Sequence, residues 1–149
     1  MAAARGQREQ HTSDGPERTA EIAASLASGL RPGDVVLLRG DLGTGKTAFV
    51  RGAAHALGVT GPVTSPTFTI GQRYRGRVPI SHLDLYRLAG DSGLTAEDPA
   101  LLDDYLTPDA IAFVEWPDAA MPLIEAPAAV VTLEHGGGDV RAITIERRS

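Results

Sequence analysis

Eight residues constrain this chain more than any others. Gly40-Asp41-Leu42-Gly43-Thr44-Gly45-Lys46-Thr47 matches G-x-x-x-x-G-K-[ST] at every fixed position. Glycines let the backbone turn successive N–H groups inward, toward phosphate oxygens. Just before the loop, Val35–Leu38 is continuously apolar, the pattern of a strand buried on both faces. Just after it, Lys46–Leu57 reads as a helix that Gly58 ends. A strand, a glycine loop and a helix in that order bring the positive end of a helix to the loop. Lys46 would then reach the β- and γ-phosphates of a nucleotide as a compact point charge, and Thr47 would offer a hydroxyl to Mg²⁺. Asp41, Gly43, Thr44, Gly45, Lys46, Thr47 and Ala48 are the nucleotide contacts this loop implies.

Composition narrows the nucleotide. The 149 residues include 14 Lys and Arg together, and Lys46 is the single lysine. A planar guanidinium does not fit where an ammonium must sit among phosphates, which explains one lysine in a chain that otherwise uses arginine. Guanine-specific P-loop GTPases carry an N-K-x-D segment, and with no second lysine that segment cannot exist here. ATP is therefore expected rather than GTP. A protein-kinase reading fails as well, because its lysine lies on a strand apart from the glycine loop. The absence of cysteine excludes disulfides and Cys-based zinc sites. A net charge of −5 argues against a general nucleic-acid binder held by phosphate contacts. No signal-peptide h-region and no apolar run near ~18 residues is visible, so a cytoplasmic protein without membrane attachment is expected.

The length suits one domain. Met1–Asp14 offers little to bury and reads as a disordered tail, with 15–149 as a single P-loop domain. Pro16–Leu30 has helical spacing at Ile22, Leu26 and Leu30, with Ser13 or Asp14 as candidate cap. Thr67–Arg77 and Val78–Leu85 read as strands around Gly76, Glu97–Leu106 as a short helix and Ala110–Val114 as a strand. Ala128–Glu134 and Val140–Glu146 alternate as an antiparallel hairpin across Gly136-Gly137-Gly138. The expected class is α/β: a P-loop NTPase-type mixed β-sheet flanked by helices, with a C-terminal antiparallel hairpin.

A P-loop needs a carboxylate at the end of a neighbouring strand. Glu115 follows the apolar run Ile111–Val114, and Asp84 follows the alternating segment Ile80–Leu83. Either is also compatible with a solvated strand-end acid. Glu115 is favoured for the metal, because its strand reads as the more buried. Trp116, the one tryptophan, precedes Pro117 and so falls at a strand end, where sites gather. Arg141 is a further candidate for a nucleotide contact, or a solvated strand arginine. His82 and Asp84 would share a strand face, so His82 either orients that carboxylate or fills a half-buried position. Arg73, Arg75 and Arg77 alternate along one strand. They fit a charge-protected edge, or a docking surface for an acidic partner or tRNA.

Four blocks in this order resemble the TsaE family, the P-loop ATPases of bacterial tRNA threonylcarbamoyladenosine biosynthesis: Gly40–Thr47, Ser65-Pro66-Thr67-Phe68, His82-Leu83-Asp84-Leu85-Tyr86-Arg87-Leu88 and Glu115-Trp116. Thr44 stands where that family usually has Ala, and Ala48 where Thr or Ser is common. The resemblance implies that Thr47 and Glu115 ligate Mg²⁺ and that Asp84 orients water near the γ-phosphate. It also implies that Ser65–Phe68 is a switch segment with Thr67 as its sensing hydroxyl. Lys46, Thr67, Asp84 and Glu115 would form the catalytic set. The implied activity is Mg²⁺-dependent ATP hydrolysis, slow alone and stimulated by partners. It would drive the TsaD–TsaB threonylcarbamoyl-transferase complex, through which alone tRNA would be met. A small-molecule kinase and a nucleotide-gated assembly module with incidental hydrolysis are the other readings of the same loop.

Overall fold

The computed structural model describes residues 7–64, 70–86, 102–124 and 126–148. The described elements run β1 (Gln7–Ser13), α1 (Pro16–Ala27), β2 (Val35–Arg39), α2 (Lys46–Ala56), β3 (Gly71–Arg75), β4 (Pro79–Asp84) and β5 (Ile111–Glu115). A 3-10 segment (Pro117–Leu123), β6 (Ala129–His135) and β7 (Arg141–Arg147) follow. The strands form one sheet in the order β1-β7-β6-β2-β5-β4-β3. Its centre, β6-β2-β5-β4, is parallel, and both ends are antiparallel. The expected mixed α/β sheet and C-terminal hairpin are both present, the hairpin being β6 and β7.

The apolar run after Asp34 occupies the middle of the sheet, between β6 and β5. Alternation along the strands divides the core in two. Val36, Leu38, Ile80, Phe113 and Val131 face α1 and α2, meeting Ile22, Leu26, Phe49 and Val50. Leu37, Leu83, Leu85 and Val114 face the other way, against Leu102, Ala120 and Ile124. The two helices approach closely because Gly52 has no side chain: a Cβ there would lie 2.5 Å from the Cα of Ala20.

Residues 7–13 correct the expectation of a disordered tail over Met1–Asp14. They pair antiparallel with β7 along the whole of β1, from Gln7 opposite Arg147 to Ser13 opposite Arg141. The segment lacks an apolar pattern because it is an edge strand held by backbone bonds and polar contacts. Arg147 Nε lies 2.5 Å from Glu9 Oε1. The hydrogen bond from His11, then Arg147, holds the Glu9 carboxyl below the usual carboxylate range. Ser13 is buried, and its hydroxyl meets that of Thr19 at 2.8 Å. Neither Ser13 nor Asp14 caps α1. Gly15 holds the N-cap position, with no side-chain cap.

Other boundaries shift by a few residues. Helix α1 ends at Ala27 rather than Leu30, and α2 at Ala56 rather than Leu57. Strand β3 begins at Gly71, and residues 67–69 of the expected strand lie outside the described residues. The expected helix Glu97–Leu106 is described from residue 102, where the N–H groups of Tyr105 and Leu106 both bond the Leu102 carbonyl at 2.9 Å. Strand β5 runs one residue further than expected, so Glu115 belongs to the strand.

Candidate functional site

The loop between β2 and α2 is shaped by positive-φ glycines. Gly45 caps α2 at φ 98°, a left-handed conformation that side chains disfavour. Gly40 has φ 147°, and a Cβ there would run into the Leu133 carbonyl and come 2.8 Å from Thr44 Oγ1. Thr44 is buried, and its hydroxyl donates to the Asp41 carbonyl at 2.8 Å, bracing the loop from inside. Lys46, Thr47 and Ala48 open α2, where first-turn N–H groups lack intrahelical acceptors.

Lys46 is 5% exposed. Its ammonium donates to the carbonyls of Gly40 at 2.6 Å and Asp41 at 3.0 Å. Burial pushes its pKa below the ordinary lysine value, while the charges of Glu115, Asp84 and Asp41 pull it back. The parallel pairing of β2, β5 and β4 sets two carboxylates beside the loop. Leu38 is opposite Glu115, and Glu115 is opposite Asp84. Strand β5 is buried along its whole length, which makes Glu115, at 3% exposure, the more enclosed of the two acids. Thr47 Oγ1 donates to Glu115 Oε2 at 3.2 Å. Asp84 Oδ1 accepts from the Tyr86 N–H at 3.0 Å.

A cavity of about 340 Å³ gathers these groups. Leu42, Gly43, Gly45, Lys46, Thr47, Ala48, Asp84, Tyr86, Glu115 and Trp116 line it. The Trp116 ring centroid lies 4.4 Å from the Lys46 ammonium, a cation–π distance. Tyr86 tilts against Trp116 at 4.9 Å between centroids. Of the residues named from sequence, Gly43, Gly45, Lys46, Thr47, Ala48, Asp84, Glu115 and Trp116 therefore meet in one place. Asp41 contributes its carbonyl to Lys46, and Thr44 its internal brace.

Arg141 reaches the loop itself: its guanidinium donates to the Gly43 carbonyl at 3.2 Å. With Gly15, Pro16, Thr19 and Asp139 it lines a second hollow of about 200 Å³, which Gly43, Thr44, Gly45 and Ala48 of the loop also line. Thr67, with the rest of Ser65–Phe68, lies outside the described residues. His82 bonds a different acid from the one expected: its Nε2 lies 2.5 Å from Glu115 Oε2, across the strands, rather than on Asp84. The sequence shows neither that pairing nor the place of Tyr86, since both depend on β4 lying beside β5. Arg73, Arg75 and Arg77 are exposed at the β3 end of the sheet, where Arg73 bonds the Asp104 carbonyl and the Thr107 hydroxyl. No helix among the described residues is long and apolar enough to cross a membrane.

The family model described as threonylcarbamoyl adenosine biosynthesis protein TsaE matches residues 13–143. A tRNA threonylcarbamoyladenosine biosynthesis protein TsaE from Bacillus subtilis is 40% identical over 130 residues, which cover 87% of this chain and 79% of the relative. The protein of that name from Streptomyces coelicolor is 37% identical over 132 residues, covering 84% and 87%. The crystal structure of Bacillus subtilis YdiB superposes with a TM-score of 0.77 at 31% identity, over 97% of this chain and 88% of that one. The chain belongs to the TsaE family of threonylcarbamoyladenosine biosynthesis proteins.

Proposed function

We propose that the chain binds ATP with Mg²⁺ in the Lys46 cavity and hydrolyses it to ADP and phosphate, in support of threonylcarbamoyladenosine modification of tRNA. Family membership supports the pathway. The observation that carries the chemistry is the convergence of one ammonium, one hydroxyl and two carboxylates, from Lys46, Thr47, Glu115 and Asp84, around a single cavity.

The donor set fits the metal. Mg²⁺ takes oxygen ligands and is usually held by one or two side chains together with substrate phosphates. Thr47 Oγ1 and Glu115 Oε2, 3.2 Å apart, form such a pair. When bound there, Mg²⁺ would supply neutralisation of the negative charge on the phosphates. Lys46 exchanges the Gly40 and Asp41 carbonyls for phosphate oxygens. The α2 N–H groups bind the phosphates, and Asp84 orients the attacking water. Trp116 and Tyr86 wall off solvent. Thr67, by family resemblance, senses the γ-phosphate.

Phosphoryl transfer depends mostly on positioning. TsaD and TsaB are the proposed partners that complete the positioning and raise a slow basal rate, and tRNA is met through their complex. Leu42, at the cavity rim, is 61% exposed and available to such a contact. The deciding experiment is Lys46→Ala in the complex reconstituted with TsaD and TsaB. Loss of both ATP turnover and tRNA modification is expected, and retention of both would refute the reading. Equal turnover with and without the partners would refute the stimulation. Product analysis should find free phosphate; a phosphorylated small molecule would point to a kinase instead.

A further inference from the structure

We propose that His82 is a positioning residue, holding the Glu115 carboxylate in the orientation that the nucleotide–metal site requires. The inference deepens, and rests on, the ATP and Mg²⁺ reading above. His82 is wholly buried on β4, opposite Phe113 of β5. Its Nε2 lies 2.5 Å from Glu115 Oε2. At that distance the contact is a hydrogen bond, and the environment of the second ring nitrogen decides which atom donates. Nδ1 has no hydrogen-bond partner among the described residues. A proton there would be a buried donor without an acceptor, so the single ring proton belongs on Nε2.

The same carboxylate oxygen also accepts from Thr47 Oγ1 at 3.2 Å. Donors from two elements, β4 and the start of α2, thus converge on Oε2. A glutamate has several rotatable bonds, and these two contacts select one arrangement of them. Packing alone does not account for the imidazole. Ile80 and Phe113 in the same core layer are apolar. An apolar residue at position 82 would fill the space without leaving a ring nitrogen unpartnered. What the histidine adds is one directed N–H on Glu115. Groups that orient a metal-binding side chain typically govern about 10- to 100-fold in metal affinity or activity.

The test compares His82→Leu, which removes the donor, with His82→Gln, which restores an N–H of similar reach. ATP binding is followed by calorimetry across a Mg²⁺ titration and again in excess chelator. For His82→Leu, half-saturation should need about 10- to 100-fold more Mg²⁺, with chelator-state ATP affinity unchanged. His82→Gln should recover most of the difference. If His82→Leu keeps the wild-type Mg²⁺ requirement, His82 only fills the core and the inference fails, even if its melting temperature drops. Wild-type protein that binds ATP without any dependence on Mg²⁺ would overturn the reading on which the inference rests. A measurement on folded wild-type protein guards against a variant that does not fold. Nitrogen-15 NMR of the histidines should show His82 protonated at Nε2, with a strongly downfield proton that moves upfield in Glu115→Gln. Protonation at Nδ1 alone would overturn the inference.

Discussion

The Lys46 ammonium sits 4.4 Å from the centroid of the Trp116 ring. The two residues are far apart on the chain, Lys46 at the start of α2 and Trp116 just past β5. Trp116 is the one non-glycine residue with positive φ among the described residues, at φ 55° and ψ 61°. A bulky residue in that region costs about 1–2 kcal/mol. Its ring contacts with Lys46 and Tyr86 accompany that conformation, so the strain coincides with the cavity wall.

This contact makes the single tryptophan a reporter. If ATP draws Lys46 away from the Gly40 and Asp41 carbonyls, the charge beside the ring moves. Trp116 emission should change on adding ATP. In Lys46→Ala the free protein should start from a different emission and respond little. Fluorescence titration checks this, and an identical response in the two proteins would contradict the account.

Lysine at this position should not be replaceable by arginine. The ammonium fits between two carbonyls at 2.6 and 3.0 Å beneath an aromatic ring. A planar guanidinium is larger and spreads its donors in a fixed fork. Lys46→Arg should lose ATP turnover nearly as fully as Lys46→Ala, by on the order of 100-fold or more, as when a donor to developing charge is removed. Steady-state phosphate release measures it.

The buried lysine also predicts a pH dependence. Burial lowers its pKa below 10.5, and the charges of Glu115, Asp84 and Asp41 only partly offset this. The unfolded chain therefore keeps the proton to higher pH than the folded one, so stability rises with pH between the two values. The cost of burying the charge is fully present below the folded-state value. Compared with Lys46→Met, the wild-type protein should gain stability as pH rises toward 10.5. Urea denaturation across that range tests the sign. A difference that moves steadily against wild type would contradict it.

Helix packing offers a test independent of the site. With a Cβ at Gly52 placed 2.5 Å from the Cα of Ala20, Gly52→Val must force α1 and α2 apart. Overpacking of this kind costs about 1–3 kcal/mol. The urea midpoint should fall accordingly, and an unchanged midpoint would show that the helices separate freely.

Legibility in the sequence followed the range of the interactions. The strand–loop–helix around Gly40–Thr47 was readable because it is local. An apolar run, glycines and a helix opening lie within 25 residues of one another on the chain. The C-terminal hairpin was readable for the same reason, with its turn at Gly136–Gly138. Strand β1 was not, because its partner β7 is more than a hundred residues away and edge pairing leaves no apolar signature. For His82 the spacing offers only Asp84, close on the same strand, or a half-buried position without a partner. Its observed partner, Glu115, is set by the register between β4 and β5.

The sequence by itself determined the loop chemistry: one lysine, placed after the glycines and before a helix, with a hydroxyl next to it. It also showed Glu115 following an apolar run and Asp84 following an alternating one. Tertiary structure alone decided how these pieces relate. Parallel pairing put β5 between β2 and β4, which brings Glu115 to Thr47 on one side and to His82 on the other. The left-handed backbone at Trp116 put its ring over Lys46. The physical reason is distance along the chain. Composition and spacing encode what a segment does with its neighbours, whereas a carboxylate's donors come from segments that only the folded sheet brings together.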